Sequence, residues 1–308
     1  MPADRAIDVR QTLEAVGAIV FERGWLSSNN VLFRCSGTVP ETLIDSGYHT
    51  HASLTLELVR RSLSGEPLGR VVNTHLHSDH CGGNAALQAE WSCETLVPQA
   101  SRAMAQSWEE AALSYRRSGQ TCPRFVVNAG IAPGAALQLG NSEWQVHAAP
   151  GHDPLALMFF EPENRVLIAG DALWENGLAI IFPELEGVEG FAQTEEALAQ
   201  IEALDPAVVV PGHGPPFGSA RAALQQSRQR LRAFKADPSK HLDYAARALV
   251  MFHMLEARRA TRSEMANWMA STPLMRAMNV DDVIGRLIRR GALQSQGDSL
   301  VLAPNSEV

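Results

Sequence analysis

Between Asn73 and Gly83 the chain reads Asn-Thr-His-Leu-His-Ser-Asp-His-Cys-Gly-Gly, and this stretch limits what the protein can fold into more than any other. Three histidines and an aspartate fall between His75 and His80, directly after the apolar strand Arg70–Thr74. In extended chain, residues two apart point to the same side, so His75 and His77 share a face. Asp79 and His80 fall where the chain must turn into the next helix. Imidazoles and carboxylates crowded at the end of a buried strand are costly without a ligand, and the donor set suits Zn²⁺, Fe or Mn. A polar loop that is merely His-rich is the alternative, and this spacing disfavours it. The end of this strand therefore reads as a ligand-binding site.

Three later fragments repeat the theme of a ligand-type residue after an apolar run. Pro150-Gly151-His152 follows WQVHAA, Gly170-Asp171 follows VLIA, and Pro211-Gly212-His213-Gly214 follows AVVV. Each alone reads as an ordinary turn. Together with the first cluster they bring the ligand set to seven, enough for two metals.

The chain around these motifs alternates strand and helix. A hairpin-rich opening (AIVF, VLFR, ETLID) leads to a helix over Ala52–Leu63, the strand Arg70–Thr74, a helix over Asn84–Trp91, the strand Thr95–Val97 and a long helical stretch Gln99–Arg117. Four strand-like runs follow from Ala136 to Ala169, then a helix Phe191–Leu204, a strand Ala207–Val210 and a helix Ser219–Phe234. Mixed strands flanked by helices predict a layered α/β domain. The polar stretch Lys235–Lys240 reads as a linker, dividing residues 1–235 from residues 236–308. A length of 308 residues fits two domains. The second has the order helix, helix, helix, hairpin, which is that of a winged helix.

Composition narrows the function classes. The net charge of −8 is uneven: residues 236–308 carry nine basic and eight acidic side chains, leaving −9 on the rest. An acidic body repels polyphosphate, so nonspecific nucleic-acid binding starts disfavoured. Four cysteines (Cys35, Cys81, Cys93, Cys122) form no CxxC pair and read as reduced thiols in or near the core. The first ten residues lead into no apolar signal segment and no stretch reads as a membrane span, so the expectation is a soluble, cytoplasmic protein.

The HxHxDH cluster, a later His, a later Asp and a last His, each after a strand, resemble the metallo-β-lactamase-fold hydrolase superfamily over about residues 15 to 235. The resemblance extends to its glyoxalase II-like branch and to an endoribonuclease-containing branch with a C-terminal winged-helix-like domain. It implies an αββα sandwich with the site along one edge between two sheets. It also implies two divalent metal ions, Zn with Fe or Mn as alternatives: one held by His75, His77 and His152, the other by Asp79, His80 and His213, with Asp171 bridging. Asp45, ending the ETLID strand, matches the family's first motif, a carboxylate supporting the metal loop. His77 stands where the diiron flavoprotein branch has Glu, which argues against that branch. Asp153 stands where relatives often have Thr or Ser, placing an extra carboxylate beside the ligands.

The implied chemistry is hydrolytic. Two cations about 3.5–4 Å apart bring the pKa of a bridging water towards ~7, and the hydroxide attacks a carbonyl or phosphorus. Asp79 is the orienter or proton acceptor. The leading expectation is a dinuclear hydrolase of a small thioester, ester or lactone. Alternatives are an endoribonuclease or phosphodiesterase, a mononuclear iron sulfur dioxygenase, and a ligand-sensing regulator whose winged helix binds DNA. Trp25, Trp108, Tyr115 and Trp174 are candidates for pocket walls or core. His49 and His51 read as surface or cap residues, His147 as structural, and Cys81 as packed beneath the metal loop. Six of nine methionines lie in the second domain, as core or dimer seam, so a homodimer with a small-molecule substrate is expected. Arg286, Arg289 and Arg290 share a helix face, yet Asp281 and Asp282 open the same helix, favouring a solvated face.

Overall fold

The computed structural model describes residues 7–34 and 39–304; Cys35 lies outside them. A first sheet runs in the order β1 (Ala18–Phe21), β2 (Asn30–Phe33), β3 (Thr42–Ile44), β4 (Arg70–Val72), β5 (Glu94–Pro98), β6 (Ala129–Ile131). It begins antiparallel and turns parallel from β3 onward. The remaining strands of the sandwich are β7 (Ala136–Leu139), β8 (Ser142–Ala148), β9 (Leu157–Glu161), β10 (Val166–Gly170) and β11 (Val208–Pro211), ordered β11-β10-β9-β8-β7.

The sequence pattern explains the layering. In β8 the alternation buries Trp144 and Val146 while Glu143 and Gln145 face out. The all-apolar runs LMFF of β9 and VLIA of β10 are buried on both faces, as central strands of a covered sheet must be. Between the sheets pack Phe33, Ile44, Val72, Trp144, Phe159, Ile168 and Val210, with Phe33 edge-on to Trp144 at 5.3 Å.

Helices cover the outer faces. After the short α1 (Val9–Ala15), the helix α2 (Ala52–Leu63) packs Val59 and Leu63 onto Leu32, Leu43 and Val71. The turn helix α3 (Ser78–Cys81) carries Asp79 and His80, and α4 (Asn84–Trp91) follows it. The long helix expected over Gln99–Arg117 does not form. A 3-10 turn, α5 (Arg102–Ser107) and α6 (Tyr115–Ser118) replace it, because Trp108 and Ser114 adopt left-handed backbone conformations that no helix interior accommodates. Beyond the one-turn α7 (Phe182–Leu185), α8 (Phe191–Leu204) and α9 (Ala220–Ala236) cover the second sheet through Leu198, Ile201, Leu224 and Leu231. The four layers are αββα.

The polar stretch 235–240 is not extended chain. Asp237 alone separates α9 from α10 (Pro238–Ala257), and its carboxylate caps α10 by accepting from the Ser239 N–H. Then come β12 (Arg259–Thr261), α11 (Arg262–Ser271), α12 (Val280–Arg289), β13 (Leu293–Gln296) and β14 (Ser299–Leu302), the strands ordered β12-β14-β13. The helices and hairpin match the expected order, with β12 as an additional strand. Thr261 and Glu264 form a reciprocal cap at the start of α11. Met254, Met265, Met269 and Met275 are buried in this unit's own core, so they supply packing there and no exposed seam. That core also takes in Ile180 and Phe182 from the sandwich. No helix among the described residues is long and apolar enough to cross a membrane.

Candidate metal centre

The parallel strands β3 and β4 and the neighbouring β10 and β11 end on one edge of the sandwich, and the ligand-type residues follow those ends. Open α/β sheets place their ligand crevices at such strand termini. Asp45 follows β3, His75 and His77 follow β4, Asp171 follows β10, and His213 follows β11. His152 arrives from the loop after β8. All seven sequence-predicted ligands meet in three overlapping groups: His75, His77 and His152; His75, His80 and Asp171; Asp79, His80 and His213. Within each group the ligand atoms lie within 4.8 Å of one another.

A buried polar network holds the α3 turn in place. Asp45, in a left-handed backbone conformation at φ 54°, accepts the Thr74 N–H at 2.9 Å and the Thr74 hydroxyl at 2.7 Å, and its Oδ2 lies 2.8 Å from His80 Nδ1. Ser46, Asn73 and Asn84 tie the His80 carbonyl into the same network: the Ser46 N–H donates to it at 2.7 Å and Asn73 Nδ2 at 3.2 Å. The glycine pair behind the cluster is required by close packing, since a Cβ on Gly83 would stand 2.5 Å from the Ser46 carbonyl oxygen. On the far side, Asn29 donates to the Pro211 and Gly214 carbonyls at 3.0 and 2.7 Å, fixing the His213 turn. A Cβ on Gly212 would lie 2.1 Å from Asp171 Oδ1, so only glycine lets this turn approach the carboxylate. Cys81 packs beneath the loop with its Sγ against the His77 carbonyl at 3.3 Å, as expected.

The donor set fits cations. His75 Nε2 and His80 Nε2 are buried without a hydrogen-bond partner, a costly state that a metal relieves. His77 Nδ1 approaches His152 Nε2 to 2.7 Å, and Asp171 Oδ2 lies 3.3 Å from the same His152 nitrogen. His213 Nε2 lies 3.1 Å from Asp79 Oδ2, and Asp171 Oδ1 lies 3.4 Å from His80 Nε2, so Asp171 faces both groups. The second nitrogens are oriented from outside: His152 Nδ1 by the Ile180 carbonyl at 2.5 Å and His80 Nδ1 by Asp45. Burial lowers the pKa of His77 and His152 to about 4, keeping both imidazoles neutral as ligands must be. Burial also lowers His75 well below its ordinary value. Burial opposes charge on His80 as well, but Asp171, Asp45 and Asp79 outweigh it and raise that pKa. Against the same burial, His80, His213 and His152 keep Asp171 far below the usual carboxylate range.

Other residues sort by position. Asp153 sits beside the cluster with Oδ2 3.9 Å from His77 Nε2, its Oδ1 accepting the Leu155 N–H, and burial raises its pKa. Trp25 and Trp174 line the cleft, and Trp174 donates to Asp171 Oδ1 at 3.1 Å. Trp108 and Tyr115 do not line it; they pack with Phe125. His51 pairs with the Ser27 hydroxyl, His49 with Glu256, and His147 with Gln200. Phe182, Tyr244, Ala248, Leu249 and Phe252 line the same cleft and are absent from the sequence-based candidates. A signal for them exists: residues 244, 248, 249 and 252 follow the i, i+4, i+5, i+8 spacing of one helix face.

A strand-delivered cluster of this form on an αββα sandwich defines a class of metal-site protein, and the comparisons identify it. The model of the metallo-β-lactamase superfamily matches residues 23–213, and the chain belongs to that superfamily. A hydroxyacylglutathione hydrolase from Rhodospirillum rubrum is 26% identical over 180 residues, 58% of this chain and 59% of that protein. The match thus spans about three fifths of that relative's length. A probable metallo-hydrolase from Bacillus subtilis is 26% identical over 199 residues, 57% of this chain and 75% of the relative. Among solved structures, a metallo-β-lactamase family protein from Thermus thermophilus aligns over 93% of this chain and 98% of its own, with a TM-score of 0.54 and 18% identity. This last likeness speaks for the fold alone.

Proposed function

We propose that the protein is a dinuclear metal-dependent hydrolase of small acyl substrates, a thioester, ester or lactone. The observation that carries this reading is the convergence of seven ligand-type side chains in overlapping groups, with the buried Nε2 atoms of His75 and His80 left without a hydrogen bond. One catalytic zinc needs only three protein ligands plus water, so seven are enough for two cations. On this reading His75, His77 and His152 hold one cation, Asp79, His80 and His213 the other, and Asp171 reaches both. Bound divalent cations supply Lewis-acid polarisation of the scissile group and acidification of water. Zinc is the metal this histidine-rich set favours.

The chain's own residues do the remaining work. Asp79, lowered in pKa by His80 and by the His213 contact against the effect of burial, stays ionised and can accept a hydrogen bond from the attacking water. Asp45 fixes His80 and the Thr74 corner, so the ligands are set before substrate arrives. Residues 1–235 form the catalytic unit, and the winged-helix-like residues 236–308 wall its cleft. On the arginine face of α12, Arg286 is paired with Asp243, which favours a small substrate over a phosphate backbone.

The test is elemental analysis of protein purified without added metal, together with a thioester, ester and phosphodiester panel. Two metals per chain and acyl hydrolysis are expected. One iron per chain with oxygen consumed on persulfide would replace this reading by the dioxygenase, and phosphodiester cleavage alone by the nuclease.

A further inference from the structure

A cleft opens above the ligand cluster, lined by residues of the sandwich and of α10. Its floor is His77, Asp79, His152, Asp171 and His213; its walls are mainly apolar. Trp25 and Phe252 stand together on one side, ring centroids 4.5 Å apart, and Leu249, Ile180 and Phe182 continue the surface toward His77 and His152. Among the lining residues there is no lysine and no arginine. Arg230 stacks on the Tyr244 ring at 5.4 Å but does not line the cleft.

Two polar groups in the walls are already used to hold the site. Trp174 donates its indole N–H to Asp171, and the Gln120 side-chain carbonyl accepts the Ser78 hydroxyl at 2.6 Å. Substrate parts that carry carboxylates need arginine or lysine partners when they are buried, and an unpaired buried charge is strongly disfavoured. A glutathione moiety brings two carboxylates and an ammonium, and these walls offer them no counterpart. An uncharged apolar group loses nothing on entering and gains by leaving water.

Resting on the hydrolase reading above, we infer that the substrate presents a neutral, apolar acyl group to the wall built by Trp25, Leu249 and Phe252, and that it is not a glutathione thioester. The reaction is R–CO–SR′ + H₂O → R–COOH + HSR′: the carbonyl carbon gains the water oxygen, the C–S bond breaks, and one proton of the water ends on the leaving sulfur. The C-terminal helix α10 thereby sets specificity, while the sandwich supplies the chemistry.

The experiment uses the full chain loaded with zinc and three thioesters: phenylacetyl-N-acetylcysteamine, succinyl-N-acetylcysteamine and phenylacetyl-glutathione. The expected result is a kcat/KM at least about 30-fold higher for the first than for the succinyl thioester, the factor that burying one ring-sized apolar group supplies, and also higher than for the glutathione thioester, which carries the same ring but brings carboxylates without cationic partners. Phe252→Arg should raise KM for the first about 10-fold, with a larger effect on KM than on kcat and with metal content retained, and narrow its lead over the succinyl thioester. Phe252→Leu, which keeps an apolar wall, should retain most of the preference and guards against a folding defect in the arginine variant. In parallel, tryptophan fluorescence should report phenylacetate binding at concentrations where succinate and glutathione give no change. Equal or faster turnover of the succinyl or glutathione thioester, or no preference in the fluorescence titration, would overturn this inference and leave the hydrolase standing. Preferential phenylacetate binding without turnover of any thioester would sustain the apolar pocket and sink the hydrolase.

Discussion

The floor and the wall of the cleft are built on opposite principles. The floor is a buried polar network in which ligands are held by further hydrogen bonds: Asp45 on His80, the Ile180 carbonyl on His152, Trp174 on Asp171. The wall is apolar packing contributed by Trp25, Ile180, Phe182 and a face of α10, a helix far along the chain from the metal loop. Damage to the floor should fall on metal binding and kcat, and damage to the wall on KM and substrate choice. A chemistry fixed by local sequence can thus be combined with a specificity surface that varies on its own.

The sharpest break is at the floor. Asp79→Ala removes a ligand-group carboxylate and the proposed orienter of water while leaving the β4 core untouched. Turnover should fall about 1000-fold or more in metal-replete protein with an unchanged circular dichroism spectrum. Activity above a tenth of wild type would remove Asp79 from its role.

One step outward, Asp45 touches no other ligand-group residue than His80, yet it holds the strand corner at Thr74. Asp45→Asn should weaken zinc affinity about 10- to 100-fold in a competition titration with a chelator, with kcat largely recovered at saturating zinc. An unchanged affinity would show that backbone geometry alone positions His80.

The two regions meet at Glu256 of α10, which accepts the Tyr48 hydroxyl at 2.7 Å and lies 3.3 Å from His49 Nε2. Tyr48→Phe leaves the Glu256 carboxylate short of a donor in a half-buried site. It should cost about 1–2 kcal/mol in denaturant unfolding. If floor and wall are energetically separate, kcat for a small ester should hardly change. A large kcat loss would mean that α10 docking also tunes the metal loop.

How much of this is readable from the chain depends on range. The HxHxDH run carries its ligands within one strand–turn segment, and strand periodicity places them without tertiary information. The layers follow from runs such as LMFF and VLIA, which only a covered sheet explains. The segment after Gln99 misleads because its composition favours helix, whereas the left-handed turns at Trp108 and Ser114 arise from packing of Trp108 and Tyr115 against Phe125. The wall escapes for the opposite reason. Tyr244, Ala248, Leu249 and Phe252 form an ordinary amphipathic face, and nothing local says that the face meets a metal site rather than a core. The methionines of the same region, read as core or seam, serve the core. Asn29, Asn73 and Asn84, which hold the loops, are single polar residues whose partners lie elsewhere in the chain, and only the fold reveals them.

The subtlest test concerns how α10 is seated. His241 lies buried near its start, between Phe191 and Phe234, and its Nε2 accepts the Ile181 N–H at 3.0 Å. That bond requires a neutral imidazole, and burial lowers the His241 pKa from 6.5 to about 4. Between those values the unfolded chain binds a proton that the folded chain does not, so falling pH favours unfolding. The contribution to stability is fully present above pH 6.5 and is lost progressively as the pH falls toward 4. At about pH 5.5 the loss amounts to about 1.4 kcal/mol. His241→Gln keeps an acceptor for Ile181 but does not titrate in this window. In zinc-loaded protein, the variant should therefore lose stability less steeply than wild type between about pH 7.5 and 5.5, by about that amount. Parallel slopes would show that α10 opens locally before His241 is protonated, and that the wall is less firmly joined to the floor than its packing implies.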